Sequence, residues 1–349
     1  MTLKQLAALA KAGTIDTVLV AFPDPFGRLV GKRFRADYFL KSVAGHGTHG
    51  CNYLLTVNIE MDPLDGFQVA NWASGFGDFE LRPDLSTLRV LPWMAASAMV
   101  ICDLHKPDGT RVAEAPRSVL RRQIERVRAL GLTCYCASEL EFYLFNQTYH
   151  DAATTGYREL RPSSDFRIDY HLMQPTRDEA LMRAIRNGLT EARVPIESSK
   201  GEWSRGQHEL NFTYDEPLPM ADGHCLFKQG VREIAEQHGK AVTFMAKYAP
   251  SEAGSSCHLH LSLWAGDRNI FWDPKVRGGS PRFRQFLGGL LKYSREFCLF
   301  FAPTINSYKR FAPGSFAPTS IEWGRDNRTC ALRLVGRGGG LRVESTVAD

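Results

Sequence analysis

Two stretches of strict alternation constrain this chain more than any other feature. In residues 138–145 the acids Glu139 and Glu141 alternate with Leu140, Phe142 and Leu144. In residues 257–264, His258, His260 and Ser262 alternate with Leu259, Leu261 and Leu263. Side chains on a strand point to opposite faces with period two, so each stretch reads as a strand with one apolar face and one polar, ionisable face. Neighbouring carboxylates on one face repel unless a cation lies between them or solvent screens them. Imidazole is both a metal ligand and a phosphate donor, and two on one strand face is uncommon. Taken singly, each pattern also fits a half-exposed strand with its polar face in water.

Two further clusters add to the inventory. Glu197, Glu202 and Glu209 fall close together, with Gly201 and Gly206 between them to permit bends. Downstream come Arg310, then Asp326 and Arg328, then Arg333, and finally Arg342 with Glu344. The planar guanidinium fork matches carboxylate and phosphate oxygens, so converging arginines suit phosphoryl transfer. Glutamates on separate strands, paired histidines and downstream arginines together make the parts of a metal-assisted phosphate site. Hard oxygen ligands suit magnesium or manganese better than zinc.

Local signals place these clusters. Residues 17–22 and 29–34 flank a turn marked by Pro23, Asp24, Pro25 and Gly27, which predicts a hairpin. Residues 90–103 read as one extended stretch, and the turn sequence Lys106-Pro107-Asp108-Gly109 follows. Pro116 then opens a helix running to about Gly131. That punctuation divides the chain near residue 110, into domains spanning 14–110 and 111–349. Beyond it, helices at about 116–130, 177–193, 223–239 and 281–301 interleave with strand-like runs near 133–145, 194–212, 241–248, 257–264, 328–335 and 341–344. Such interleaving predicts an α/β or α+β layout with a substantial sheet.

Composition excludes several classes. A hydrophobic content of 44% with 23% charged residues is ordinary for a globular chain. The net charge of +5 comes from 43 basic and 38 acidic residues mixed along the sequence, with no basic block to bind nucleic acid. No run approaches the roughly 18 apolar residues that cross a bilayer. The eight cysteines form no CxxC pair, which reads as reduced thiols in a cytoplasmic protein. The N-terminal residues suggest a short amphipathic helix rather than a signal peptide.

At its chemical clusters the sequence resembles the glutamine synthetase family. The family's two-glutamate strand appears as Glu139-Leu140-Glu141-Phe142, and its second acidic motif as Glu202 through Gly206-Gln207-His208-Glu209. The His-x-His-x-Ser strand is His258–Ser262, and the Asn-Ser-Tyr-Lys-Arg loop stands intact from Asn306 to Arg310. Asp326-Asn327-Arg328 through Arg333 matches a further motif, and Leu81-Arg82-Pro83-Asp84-Leu85-Ser86-Thr87 is similar to the N-terminal domain. The likeness runs from about residue 15 to residue 344.

The resemblance implies an α+β protein with an N-terminal β-grasp domain and a catalytic domain built on a half-barrel of antiparallel strands. It implies a homo-oligomeric ring with sites between neighbouring subunits. It implies ATP and Mg2+ (or Mn2+) as cofactors, glutamate and an amine as substrates, and γ-glutamyl phosphate as the activated intermediate. By motif position, Glu141, Glu202 and Glu209 would hold one metal, and Glu139, His258 and Glu344 the other. Glu197, His260, Ser262 and Arg342 would lie toward the nucleotide, and Arg310, Arg328 and Arg333 toward glutamate and the moving phosphoryl group.

Three departures narrow the expectation. Ammonia-using members carry an Asp-Gly-Ser-Ser segment where this chain has Met61–Phe67, and a glutamate where it has Phe316. An ammonium pocket needs anionic partners and a base, whereas an aromatic ring offers only a π face. This resembles the branch that joins glutamate to polyamines or ethanolamine-like amines, with ordinary glutamine synthetase as the alternative. Ala253, Ser256 and Cys257 replace residues common ahead of the histidine strand. Finally, Thr346 stands where the family has a phosphate-facing arginine, and the sequence ends at Asp349. That last feature predicts a C-terminally truncated catalytic domain and leaves open a non-catalytic homologue that still binds ATP and metal.

Overall fold

The computed structural model describes residues 1–276 and 278–349. It is an α+β protein whose contacts divide it into two units interleaved in sequence. The first takes in Met1–Glu125, Asn187–Val194 and Ala221–Gly230, and the second the remaining stretches up to Asp349.

The first unit is built on strands β1 (Thr17–Pro23), β2 (Leu29–Arg35), β3 (Thr48–Cys51), β4 (Asp78–Val90) and β5 (Ser97–His105). They lie in the order β2-β1-β5-β4-β3, with β1 and β5 parallel and the other pairs antiparallel. The expected hairpin forms because the Asp24 carboxylate accepts from the backbone N–H of Phe26 and of Arg28, both at 2.9 Å. β1 and β5 are the most deeply buried strands, in keeping with their unbroken apolar runs. Their side chains join Leu6 of the N-terminal helix (Leu3–Lys11) in one core, where Phe22 meets Phe79 edge-on at 5.3 Å. Thr2 and Gln5 cap that helix reciprocally.

One expectation fails in this unit. Residues 90–103 are two strands rather than one, separated by a turn in which Met94 N–H donates to Leu91 O at 3.0 Å and Ala96 has φ 49°. Pro92 lacks an N–H for a ladder and turns the chain there. β4 therefore begins far earlier than its apolar end suggested, at Asp78.

The second unit carries β6 (Thr133–Phe145), β7 (Ile196–Gly201), β8 (Gln207–Phe212), β9 (Ala241–Thr243), β10 (Cys257–Ala265), β11 (Arg268–Asn269), β12 (Trp323–Arg325), β13 (Leu332–Val335) and β14 (Arg342–Ser345). Seven run in the order β12-β13-β14-β10-β6-β8-β7, antiparallel except for the β12–β13 pair, while β9 adds to β6 and β11 to β10. The run expected at 194–212 is thus a hairpin of two strands. Glu202 N–H donates to Gln207 O at 2.8 Å across its turn, and Gly206 sits at φ 68°. A side chain at Gly206 would come 2.8 Å from Leu144 O, so the turn requires glycine.

The apolar face of β6 supplies the fully buried Phe142 and Leu144. The long helix Pro281–Phe301 starts at Ser280, whose hydroxyl accepts from Phe283 N–H at 3.1 Å. It packs Phe283 and Leu287 against Leu332, Leu334 and Val343 of β13 and β14. Among the described residues no helix is long and apolar enough to cross a membrane, and all eight cysteines are free thiols.

Candidate active site

Strand register gathers the ionisable faces. Glu139 of β6 pairs with His258 of β10 on one side and Asn211 of β8 on the other. Two residues on, Glu141 pairs with Glu209. His260 pairs with Glu344 of β14, which pairs with Arg333 of β13. Five neighbouring strands therefore present acids, imidazoles and a guanidinium on one sheet face. β7 adds Lys200 opposite Glu209, and the β7–β8 turn adds Glu202.

The register of β14 depends on the glycine run at 336–340. Gly336 has φ 84°, and a side chain there would lie 2.1 Å from Gly340 O. Asn269 grips this turn from β11, its Nδ2 donating to Gly339 O and Leu341 O, each at 2.8 Å.

The acids form two groups. One donor atom each from Glu139, His258 and Glu344 lie within 4.8 Å of one another, and the same holds for Glu141, Glu202 and Glu209. In the first group, His258 Nδ1 lies 3.0 Å from Glu139 Oε1 and 3.3 Å from Glu344 Oε1. Arg333 donates to the other Glu344 oxygen at 3.1 Å and also binds Asp326. Arg342 Nε donates to His260 Nδ1 at 3.1 Å, which leaves Nε2–H to donate to Glu139 at 3.3 Å. In the second group, Glu141 accepts from Ser256 N–H at 2.8 Å and from Gln207 at 3.3 Å.

The two groups differ in charge balance. Burial raises the Glu139 carboxyl, but hydrogen bonds from His258 and His260 outweigh it and hold the group well below the usual carboxylate range. For His258, burial opposes the cation, yet the Glu139 hydrogen bond and nearby negative charges raise it above its ordinary value. Glu141 goes the other way, since burial and then the Glu202 charge push it up to about 7. Glu209 is pushed up to about 10 by burial and by the charges of Glu139, Glu202 and Glu141. A cation among these oxygens would relieve that repulsion, and the donor set of carboxylates with one imidazole fits a hard divalent ion such as magnesium or manganese.

All the candidate residues except Glu197 and Ser262 line one cleft of about 830 Å³. Glu197 sits at the register shift between Ile196 and Ser198 and is exposed. Ser262 pairs with Tyr135 farther along β10, where its hydroxyl accepts from Trp264 Nε1 at 3.0 Å. Arg310 is 3% exposed, and its guanidinium donates to the carbonyls of Thr346, Val347 and Ala348 at 3.1–3.2 Å. Gly254 leaves room for it, since a side chain there would come 2.4 Å from the Arg310 stem. Arg328 is exposed at the cleft wall. Thr346 also lines the cleft, its hydroxyl donating to Cys330 O at 2.9 Å.

Sequence reasoning missed several lining residues. Lys200 binds Glu202 and lies over the Tyr170 ring, its ammonium 4.3 Å from the centroid. Its signal was available, because Lys200 and Glu202 are two apart in the same strand-and-turn pattern. Trp203 and Arg167 gave no such signal, because their meeting depends on a bridge between Arg167 and Arg205 that is remote in sequence.

Comparison with known proteins identifies the family. A family model described as glutamine synthetase, catalytic domain, matches residues 113–349. Gamma-glutamylethanolamide synthetase GlnA4 of Streptomyces coelicolor is 51% identical over 98% of this chain and 74% of its own length. Glutamate--isopropylamine ligase of a Pseudomonas species is 36% identical over 95% of this chain and 73% of its own. Among solved structures, the GmaS/ADP complex superposes with a TM-score of 0.83 at 27% identity, covering 99% of this chain and 76% of that one. By sequence and by fold, the chain belongs to the glutamine synthetase family.

Proposed function

We propose that this chain is an ATP-dependent ligase that joins the γ-carboxylate of glutamate to an organic amine. The observation that carries the reading is one cleft in which two groups of metal-competent carboxylates share the lining with five arginines, with Phe316 on the wall in place of an acid. Two relatives named for ethanolamide and isopropylamine products support the acceptor class.

The chemistry follows from what must be made reactive. A carboxylate resists amines because its oxygen is a poor leaving group. A γ-carboxylate oxygen of glutamate attacks the γ-phosphorus of ATP, ADP leaves, and the resulting acyl phosphate carries a good leaving group. The amine nitrogen then attacks the acyl carbon and phosphate departs. Glu139, His258 and Glu344 would hold one divalent cation and Glu141, Glu202 and Glu209 the other. Magnesium or manganese there supplies charge neutralisation at the phosphoryl oxygens. Arg310, Arg328 and Arg333 lie toward the glutamate and the moving phosphoryl group in this reading, and Arg310 also holds the carbonyls of residues 346–348. Toward the nucleotide stand His260 and Arg342; Glu197 and Ser262 carry that assignment only from their places in the family pattern.

Three broader readings travel with this one. The division near residue 110, into a β-grasp domain and a catalytic domain, rests on the turn at 106–109. Assembly into a ring is supported by exposed apolar side chains such as Trp72, 73% exposed. A cytoplasmic location is supported by the free thiols.

The test is ADP release with Mg-ATP and glutamate, comparing ammonium, ethanolamine and isopropylamine. Stimulation by the organic amines and not by ammonium is expected. Ammonium as the best acceptor would overturn the reading in favour of ordinary glutamine synthetase, and ATP binding without turnover would mark a non-catalytic homologue.

A further inference from the structure

Ser256 is one of the residues by which this chain departs from the family pattern ahead of the histidine strand. It has the parity of His258 and His260, so its side chain extends their face of the sheet by one position. It is 6% exposed and bonds to a member of each group of candidate ligands. Its backbone exchanges two hydrogen bonds with Glu141. Ser256 N–H donates to Glu141 Oε2 at 2.8 Å, and Glu141 N–H donates to Ser256 O at 3.0 Å. Its hydroxyl lies 3.0 Å from His258 Nε2.

The segment leading to Ser256 is held at each residue. Ser204, buried in the β7–β8 turn, accepts from Ala253 N–H at 2.7 Å, and Tyr143 OH donates to Ala253 O at 2.6 Å. Gln207, opposite Tyr143 in the β6–β8 register, donates to Gly254 O at 3.1 Å. Ser255 N–H donates to Ala246 O at 2.9 Å. A backbone fixed in this way leaves the hydroxyl little freedom in where it stands.

The two nitrogens of the His258 ring have different surroundings. Nδ1 faces Glu139 Oε1 at 3.0 Å and Glu344 Oε1 at 3.3 Å, the side on which the three ligands converge. Nδ1 can give its lone pair to an ion when the ring proton is on Nε2, and Ser256 Oγ is placed to accept that proton's hydrogen bond.

We propose that the Ser256 hydroxyl is a positioning group for a cation held by Glu139, His258 and Glu344. It accepts from Nε2–H, fixes the tautomer and keeps Nδ1 turned toward the two carboxylates. This rests on reading those three residues as ion ligands, and adds a residue outside them. Glu141 is bound through the Ser256 backbone, so deleting the hydroxyl should weaken one group and spare the other.

The test is manganese binding to the full chain without nucleotide or substrates, followed by the electron-spin resonance of the free ion. Glu209→Gln leaves the His258 group as the intact one, and Glu344→Gln leaves the Glu141 group. In the first background Ser256→Ala is expected to weaken manganese binding by roughly tenfold or more, and Ser256→Thr to restore it. In the second, Ser256→Ala is expected to leave binding nearly unchanged. Equal losses in both backgrounds would mark a general loosening of the fold and overturn the inference. So would an alanine variant that binds as tightly as its parent, or a threonine variant no better than alanine. None of these results touches glutamate–amine ligation, which ADP release reads separately. Absence of manganese binding by the unmodified chain overturns the ion-ligand reading, and the inference with it.

Discussion

Two buried charge clusters in this protein have opposite designs. In the first unit, Arg117 is 4% exposed and its guanidinium reaches Asp84, Asp103 and Asp222, with Arg121 bridging the first two. Burial lowers the Arg117 pKa, but the charges of Asp222 and Asp103 outweigh it and raise it. Every acid there has a cation in contact. In the second unit, Glu141, Glu202 and Glu209 crowd together, with Lys200 the one cation in ion-pair contact with them among the described residues, and two of the three are raised toward neutrality. The difference separates a cluster that closes on itself and holds the fold from one that waits for a charge from outside. Buried acids alone do not mark a site; a deficit of cations around them does.

Three changes would break or sharpen that contrast. Arg117→Met removes the ion-pair partner of the deeply buried Asp222 and leaves Asp84 and Asp103 to Arg121, and is expected to cost about 3–5 kcal/mol in urea unfolding. A loss well under 1 kcal/mol would mean the first cluster is not self-sufficient. Glu209→Gln should act in the opposite direction, raising the melting temperature of the metal-free protein while weakening magnesium binding by roughly 10- to 100-fold or more. Calorimetric titration and thermal melts in EDTA would read both, and a metal-free melt that falls would end the comparison. The smallest effect is on pH. Glu141 has a folded pKa near 7 against an ordinary 4.5, so its stabilising contribution is complete below 4.5 and lost as pH rises through 7. Metal-free protein should therefore melt lower at pH 8 than at pH 5.5, and saturating magnesium should flatten the slope.

Much of this site was legible because strand parity is a strict rule. The alternation put Glu139 with Glu141, and His258 with His260 and Ser262, on one face of each strand before any pairing was known, and the register then joined the two strands. The rule failed where a strand was irregular or ran too far. At Glu197 a register shift adds a residue, which sequence alternation cannot reveal. Ser262 keeps the parity of the histidines but lies beyond the cleft, because parity fixes a face and not a position along it. Residues 90–103 misled because a turn through Pro92 lies between two apolar runs. Trp203, Phe316 and Arg167 meet only through tertiary contacts, so Phe316 was notable in the sequence for what it replaced and not for what it touches.

The glycine turn before β14 has a consequence for how this protein can vary. Its composition is nearly featureless and much of it faces solvent, which usually marks a place where insertions and deletions are harmless. Here the length of the turn sets the phase of the strand that follows. One residue more or fewer would bring Val343 or Ser345 to the position of Glu344, turning an acid away and an alkyl or hydroxyl group inward. Substitutions that keep the turn's geometry can drift, while its residue count is held fixed by chemistry on the neighbouring strand.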